Sequence, residues 1–90
     1  MYMKGDFNMK KAERIATAKE MYINAILEKR LAENAYRDFI NGDNADNFNR
    51  RMYFREDWKE KRIYAETLYK VFVKFDIVPR KELEEIEMSL

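Results

Sequence analysis

The clearest pattern along the chain is a stripe of large apolar residues in its second half. Seven positions follow one another at alternating steps of four and three residues, and six of them are apolar. They are Phe54, Trp58, Lys61, Ala65, Leu68, Phe72 and Phe75, which we call the seam. Because two turns of an α-helix take about seven residues, all seven side chains would lie on one helical face. The pattern predicts a long helix over residues 45–76 whose seam forms a core or a dimer contact.

The first half of the chain contains no helix breaker between residues 9 and 40, which predicts another long helix there. Its apolar stripe advances in steps of four, through Ile23, Leu27, Leu31, Ala35 and Phe39. Each such step turns the chain by about 400°, so the stripe drifts by about 40° per step around a straight helix. We expect this helix to bend, to cross its partner steeply or to serve different partners at its two ends.

Short polar segments separate these helices and begin the last one. Residues 41–44 are expected to form a turn, with Gly42 in the left-handed conformation that often follows a helix. The expected N-caps are Asp6 or Asn8 for the first helix and Asp43, Asn44 or Asp46 for the second. Pro79 predicts a short helix over residues 79–88, because proline is favoured in the first helical turn.

These elements predict an all-α fold in a single domain of residues 1–90, a long antiparallel hairpin with a short C-terminal helix. Two glycines and one proline are too few for the frequent turns of an all-β fold. The second helix also carries apolar residues outside the seam, and one partner helix cannot cover them. We therefore expect a homodimer that forms a dimeric helical bundle, with a tightly folded three-helix monomer as the alternative.

The composition limits the chemistry that the chain can perform. It contains no cysteine and no histidine, and its only serine is Ser89. Thiolate and imidazole ligands, cysteine nucleophiles and the usual neutral-pH base are therefore absent. We expect no enzyme activity, no catalytic residues and no metal or cofactor site, with acid–base catalysis by carboxylates alone as the remaining alternative.

Two further properties concern the location of the protein. No apolar run approaches the roughly 20 residues that span a bilayer. The N-terminal residues also lack the apolar core of a signal peptide. These observations predict a cytoplasmic protein that does not bind a membrane.

Four basic residues on the second helix form the first candidate binding surface. They are Arg51, Arg55, Lys59 and Arg62, which we call the basic stripe. They fall within about 80° of one another around a helix. Tyr53, Phe54 and Trp58 are interleaved with them in the sequence, and this mixture suits single-stranded nucleic acid. In the alternative interpretation the aromatic rings belong to the core and the basic residues only face solvent.

Lysine and tyrosine supply two further candidates. Lys61 stands at a seam position, where it either fixes register and oligomeric state or receives a carboxylate or phosphate of a partner. Five tyrosines, including Tyr53 and Tyr64, occupy angles that one core face cannot hold. Because tyrosine is enriched at interfaces, they predict a surface for another protein. Tyr53 and Tyr64 therefore join the basic stripe as candidate residues for binding a partner or nucleic acid.

No motif assigns the chain to a family. Its composition is rich in lysine, asparagine, isoleucine, tyrosine and phenylalanine, and resembles that of small proteins from AT-rich bacterial genomes and their phages. The resemblance implies a phage- or plasmid-encoded regulator or inhibitor of a host enzyme, for example an anti-CRISPR-type antagonist. The residues themselves indicate a non-catalytic helical protein-interaction module. The alternatives are nucleic-acid binding through the basic stripe and a structural subunit of a larger helical assembly.

Overall fold

The computed structural model describes the backbone of residues 3–90 and the side chains of residues 11–90. Over this range the chain forms three helices and no strand: α1 (Met3–Ile40), α2 (Phe48–Lys74) and α3 (Arg80–Ser89). Helix α1 packs against α2, and α3 packs against both. The prediction of an all-α fold is confirmed for this part of the chain.

Helix α1 begins earlier than the sequence predicts. It starts at Met3 instead of residue 9, so Asp6 and Asn8 lie inside the helix and the prediction that they cap it is wrong. The segment before residue 9 contains no proline, and nothing in its backbone stops a formed helix from extending through it. Met1 and Tyr2 lie outside the described residues.

The turn between α1 and α2 is longer than predicted, because α2 begins at Phe48 and its N-cap is Asn47. The Asn47 side chain accepts a hydrogen bond from the Arg50 backbone N–H at 3.1 Å. Residues 43–46 are taken up by turns, whereas Asn47 has the extended backbone that a cap requires. The predicted caps Asp43, Asn44 and Asp46 are therefore wrong.

Gly42 does not adopt the predicted left-handed conformation, since no described glycine has a positive φ. Its N–H donates to the Phe39 carbonyl at 3.1 Å in a tight turn. A Cβ at this position would lie 3.3 Å from the carbonyl oxygen of Asp38. The close approach of the backbone, and not its handedness, favours glycine here.

Helix α2 ends at Lys74, two residues before the predicted end, in a Schellman motif built on Asp76. Asp76 has φ 54°, in the left-handed region. Its N–H donates to the Val73 carbonyl at 3.2 Å, and the Ile77 N–H donates to the Phe72 carbonyl at 2.8 Å. The chain then reverses through Pro79, which is the N-cap of α3 and not part of its first turn.

The core joins residues of all three helices. The buried cluster consists of Ala18, Tyr22, Ala25, Ile26, Ala65, Leu68, Phe72, Val78 and Leu83. On α1 three alanines spaced seven residues apart, Ala18, Ala25 and Ala32, are buried together with Tyr22 and Ile26. Of the predicted stripe, Leu27 and Leu31 are exposed, whereas Ile23, Ala35 and Phe39 are half-buried. Small residues on one helix allow close approach of the large residues on the other. Residues 78–83 therefore complete the core of their own hairpin.

The molecule is long and narrow, with extents of 61 × 26 × 19 Å. Its radius of gyration is 17.6 Å, compared with about 12 Å for a compact 90-residue domain. An elongated hairpin leaves two grooves along the contact between its helices. Helix α3 lies in one of these grooves, and the other is open.

Candidate functional surfaces

The seam lies mostly against α1 of the same chain. Ala65, Leu68 and Phe72 are buried, and Phe54, Trp58 and Lys61 are half-buried. Two aromatic pairs cross the hairpin: Tyr36 stacks on Trp58 with ring centroids 5.9 Å apart, and Phe39 meets Phe54 at 5.1 Å. Phe75 departs from the seam, with 65% of its side chain exposed, because α2 ends one residue before it.

Lys61 is held by a carboxylate of its own helix. Its Nζ lies 2.9 Å from Asp57 Oδ1, one turn away. The Asp57 carboxylate raises the pKa of Lys61 above its usual range, with smaller contributions from Glu28 and Glu60. The lysine at the seam is thus paired within its own helix, and Glu28 of α1 lines the same cleft.

We call the groove that holds α3 the covered groove. Val78 and Leu83 are fully buried there, so the short helix is anchored by apolar contact. Polar contacts join its acidic face to the groove walls. They are the Lys19–Glu82 salt bridge, Tyr22 Oη donating to Glu87 (2.9 Å), Tyr69 Oη donating to Glu84 (3.0 Å) and Arg30 donating to the Glu87 carbonyl (2.8 Å).

The two tyrosines in the covered groove are kept neutral by their surroundings. Burial raises the pKa of Tyr22 well above its usual range, and the hydrogen bond to Glu87 raises it further. Burial and then the hydrogen bond to Glu84 raise the pKa of Tyr69 in the same way. Both hydroxyls act as donors to α3, and ionisation would remove these hydrogen bonds.

The basic stripe continues one wall of the covered groove beyond the end of α3. Arg62 and Arg55 lie seven and fourteen residues before Tyr69, and therefore on the same side of α2. All four side chains of the stripe are exposed. Arg62 lies over the Trp58 ring at 5.3 Å, and Arg51 lies over Phe48 at 6.0 Å. Among side chains of residues 11–90, none of the four forms a salt bridge.

Tyr53 and Tyr64 lie away from the basic stripe. Residues two positions apart on a helix point in nearly opposite directions, about 200° apart, so sequence proximity to Arg51 and Arg55 does not place Tyr53 beside them. Instead, Tyr53 lines a shallow pocket with Asp57, Glu60 and two neighbours on the far side of α2. Tyr64, seven residues after Asp57, faces the same way.

The open groove is bordered by a stripe on each long helix, with steps of three or four residues. We call these fourteen positions the open face. On α1 they are Thr17, Met21, Asn24, Glu28, Leu31, Ala35 and Asp38, and on α2 they are Tyr53, Asp57, Glu60, Tyr64, Thr67, Val71 and Phe75. A cleft lined by Leu31, Ala35, Asp57 and Lys61, among others, joins the two stripes. The open face lies opposite α3.

Exposed apolar residues concentrate on the open face. It carries six of the twelve exposed large hydrophobic residues on the described surface: Met21, Leu31, Tyr53, Tyr64, Val71 and Phe75. At its Met21 end lies a largely apolar cleft of about 490 Å³, lined also by Ile15, Phe72 and Ile77, with Lys11, Arg14 and Asp76 among its polar residues. Exposed large apolar residues gathered on one face, next to an apolar cleft, are typical of a binding site.

The open face is also negatively charged away from its Met21 end, where Lys11 and Arg14 line the cleft and Lys74 lies over the Phe75 ring. Its charged residues are Glu28, Asp38, Asp57 and Glu60, and neither stripe contains lysine or arginine. The bordering lysine, Lys61, is paired with Asp57. This surface is not among the sequence predictions, because proximity along the chain groups Tyr53 and Tyr64 with the basic stripe, although the regular spacing of both stripes is visible in the sequence.

Neither a protein-family model, nor a curated protein, nor a solved structure matches the chain. No helix in the described part is sufficiently long and apolar to cross a membrane. Within the same residues, no group of three carboxylates converges as a metal site would require. The open face and the basic stripe carry exposed apolar groups, aromatic rings and charged groups, which are features that proteins use to bind other molecules.

Proposed function

We propose that the chain is a non-catalytic helical interaction protein whose binding surface is the open face. The supporting observation is the asymmetry of the hairpin: α3 fills one groove, while the opposite groove carries half of the exposed large apolar residues. Tyrosine and large aliphatic residues at the centre of a surface are common anchors in protein interfaces. If the chain is instead a structural subunit of a larger helical assembly, the open face would be its permanent contact with the other subunits.

The bound protein is either a different protein or a second copy of the chain, and both are proposals. The composition favours a phage- or plasmid-encoded regulator or inhibitor of a host enzyme, with an anti-CRISPR-type antagonist as one example. A homodimer stays a prediction from the sequence. Light scattering from micromolar concentration downward, at two salt concentrations, separates self-association from a monomer whose open face is available to another protein.

Site-specific photocrosslinking in cells tests the proposed function. A photoreactive residue replaces Leu31 or Tyr64 on the open face, or Lys81 or Glu85 on the exposed side of α3 as matched controls. We expect discrete protein adducts from the two open-face positions and none from the controls. Equal adducts from all four positions, or none from the open face, contradict the proposal.

The basic stripe supports a second candidate function, binding of single-stranded nucleic acid. All four cationic groups are exposed, and Arg51 and Arg62 lie over aromatic rings, an arrangement that combines phosphate attraction with base stacking. If all four contact phosphates, affinity should fall about 50-fold between 50 and 200 mM salt. Fluorescence anisotropy with short DNA and RNA strands measures this fall.

A double substitution tests whether the stripe itself is responsible. Arg51→Ala with Arg55→Ala should weaken nucleic-acid binding, whereas Lys81→Ala, on the exposed side of α3, should not. Absence of binding to any oligonucleotide, or affinity that does not change with salt, rejects this second function.

A further inference from the structure

The covered groove shows what kind of element the hairpin accepts. Its occupant, α3, is a helix that buries Leu83 between α1 and α2, next to Val78 of the preceding link. The open groove is bordered by the same two helices, and its lining residues recur at the steps of three and four that match a packed helix. A helix therefore fits the shape and the repeat of the open face.

The charge of the open face determines the chemistry of such a helix. Four carboxylates border the groove, and its basic neighbours Lys11, Arg14 and Lys74 lie at its Met21 end, away from Glu28 and Glu60. The nearby Lys61 is already paired with Asp57 and lies close to Glu28 and Glu60. A nucleic acid would be repelled. A second copy that docked with its own open face would oppose four carboxylates with four more.

The open face itself sets the length and pattern of the complementary helix. From Met21 to Ala35 the groove runs for about 21 Å, or roughly 14 residues of helix. Apolar contacts at Met21, Leu31 and Tyr64 alternate along it with the carboxylates of Glu28 and Glu60. The matching surface has an apolar stripe with lysine or arginine on its flanks.

We propose that the open face binds a basic amphipathic helix of another protein, which lies opposite α3 as a fourth helix of the bundle. This inference rests on the proposed function and specifies the chemistry of its partner. Apolar contact with Leu31 and Tyr64 buries nonpolar surface and contributes affinity. The carboxylates at the rim favour a cationic sequence over an acidic one.

Selection from a displayed library of randomised helical peptides, about 18 residues long, tests the inference on the intact chain. We expect the selected peptides to carry an excess of lysine and arginine flanking an apolar stripe. Their affinity should fall with added salt. It should also fall by about tenfold or more for Glu28→Lys with Glu60→Lys, measured by fluorescence anisotropy.

Matched variants control for folding and for general charge effects. Glu66→Lys with Glu85→Lys makes the same change in net charge on the α3 side of the hairpin, outside the open face, and should leave affinity nearly unchanged. Leu31→Asp, at a side chain that is 69% exposed, should abolish binding without altering the circular dichroism spectrum. Each variant is compared with the parent chain for thermal unfolding before its binding is measured.

The outcomes separate the inference from the proposed function. Selected peptides that are neutral or acidic, yet lose binding on Leu31→Asp, overturn the basic helix but leave the open face as an interaction surface. A failure to select any peptide, or peptides insensitive to every open-face substitution, overturns both. Light scattering that shows self-association abolished by Leu31→Asp assigns the surface to a second copy and also overturns the inference.

Discussion

The two grooves of the hairpin are formed by the same two helices and differ in charge. The covered groove is lined by Lys19, Arg30 and the tyrosine hydroxyls, and it holds a helix with four glutamates. The open groove is bordered by carboxylates, which would repel that helix. The charge of the covered groove therefore complements that of α3, whereas the charge of the open groove does not.

Removing the apolar anchor of α3 should have the largest effect on the covered groove. Leu83 is 0% exposed, and Leu83→Ala should cost about 2–4 kcal/mol in free energy of unfolding. Urea denaturation followed by circular dichroism measures this change. Met88→Ala, in the same helix at a residue that is 87% exposed, should stay within about 0.5 kcal/mol of the parent. Equal effects would show that α3 does not anchor the fold.

Alkaline pH should weaken the packing of α3 in the covered groove before it affects the open groove. Because the pKa of Tyr22 is raised by burial, its neutral form is favoured by folding. This stabilisation is fully present below the unfolded-state pKa of about 10 and is lost as pH rises above it, by about 1 kcal/mol at pH 11. The raised pKa values of Tyr69 and Lys61 act in the same direction.

Urea unfolding at pH 8 and pH 11 measures the loss, and two variants locate it. Tyr22→Phe should reduce the dependence on pH, whereas Tyr64→Phe on the open face should leave it unchanged. Identical pH dependence in both variants would contradict a specific role of Tyr22.

The segment between α2 and α3 contains backbone strain that a single substitution can relieve. Asp76 has a positive φ and a negative charge beside the C-terminus of α2, both unfavourable for an aspartate. Asp76→Gly should therefore stabilise the fold by about 0.5–1 kcal/mol, read as a higher midpoint in thermal unfolding. Asp43→Gly, in a turn where φ is not positive, should give no gain. A loss of stability for Asp76→Gly would contradict this interpretation of the link.

The smallest change in stability is expected on the open face. Leu31→Ala removes an exposed side chain and should alter the free energy of unfolding by less than about 0.5 kcal/mol. The same substitution should weaken binding of any selected peptide. Destabilisation comparable to that of Leu83→Ala would mean that Leu31 is part of the core, and the contrast between the grooves would fail.

The sequence predicts those parts of the fold that depend on local patterns of large residues. Trp58, Leu68 and Phe72 predict α2 and most of its inward face. Alanine indicates a buried position less strongly than leucine does. The sequence pattern therefore favours Leu27 and Leu31 over the regularly spaced Ala18, Ala25 and Ala32. Helix ends were less predictable, because the left-handed backbone at Asp76 and the cap at Asn47 depend on how the whole turn closes.

The candidate surfaces were predictable to different extents. The four basic residues share one side of α2, as their spacing requires. Tyr53 and Tyr64 were grouped with them by sequence proximity, although helical geometry alone separates them. The position of α3 cannot be predicted from the sequence pattern, because it depends on tertiary contacts of Val78 and Leu83 with both long helices.

The net charge of +1 conceals an uneven distribution around the long axis. In the half of the hairpin beyond the end of α3, the basic stripe lies on one side and the acidic open face lies on the other. That half therefore has an electric dipole moment directed across its width, so a nearby charged surface exerts a torque that turns one flank towards it. At low ionic strength the chain should be retained on both cation- and anion-exchange resins, presenting opposite sides to each.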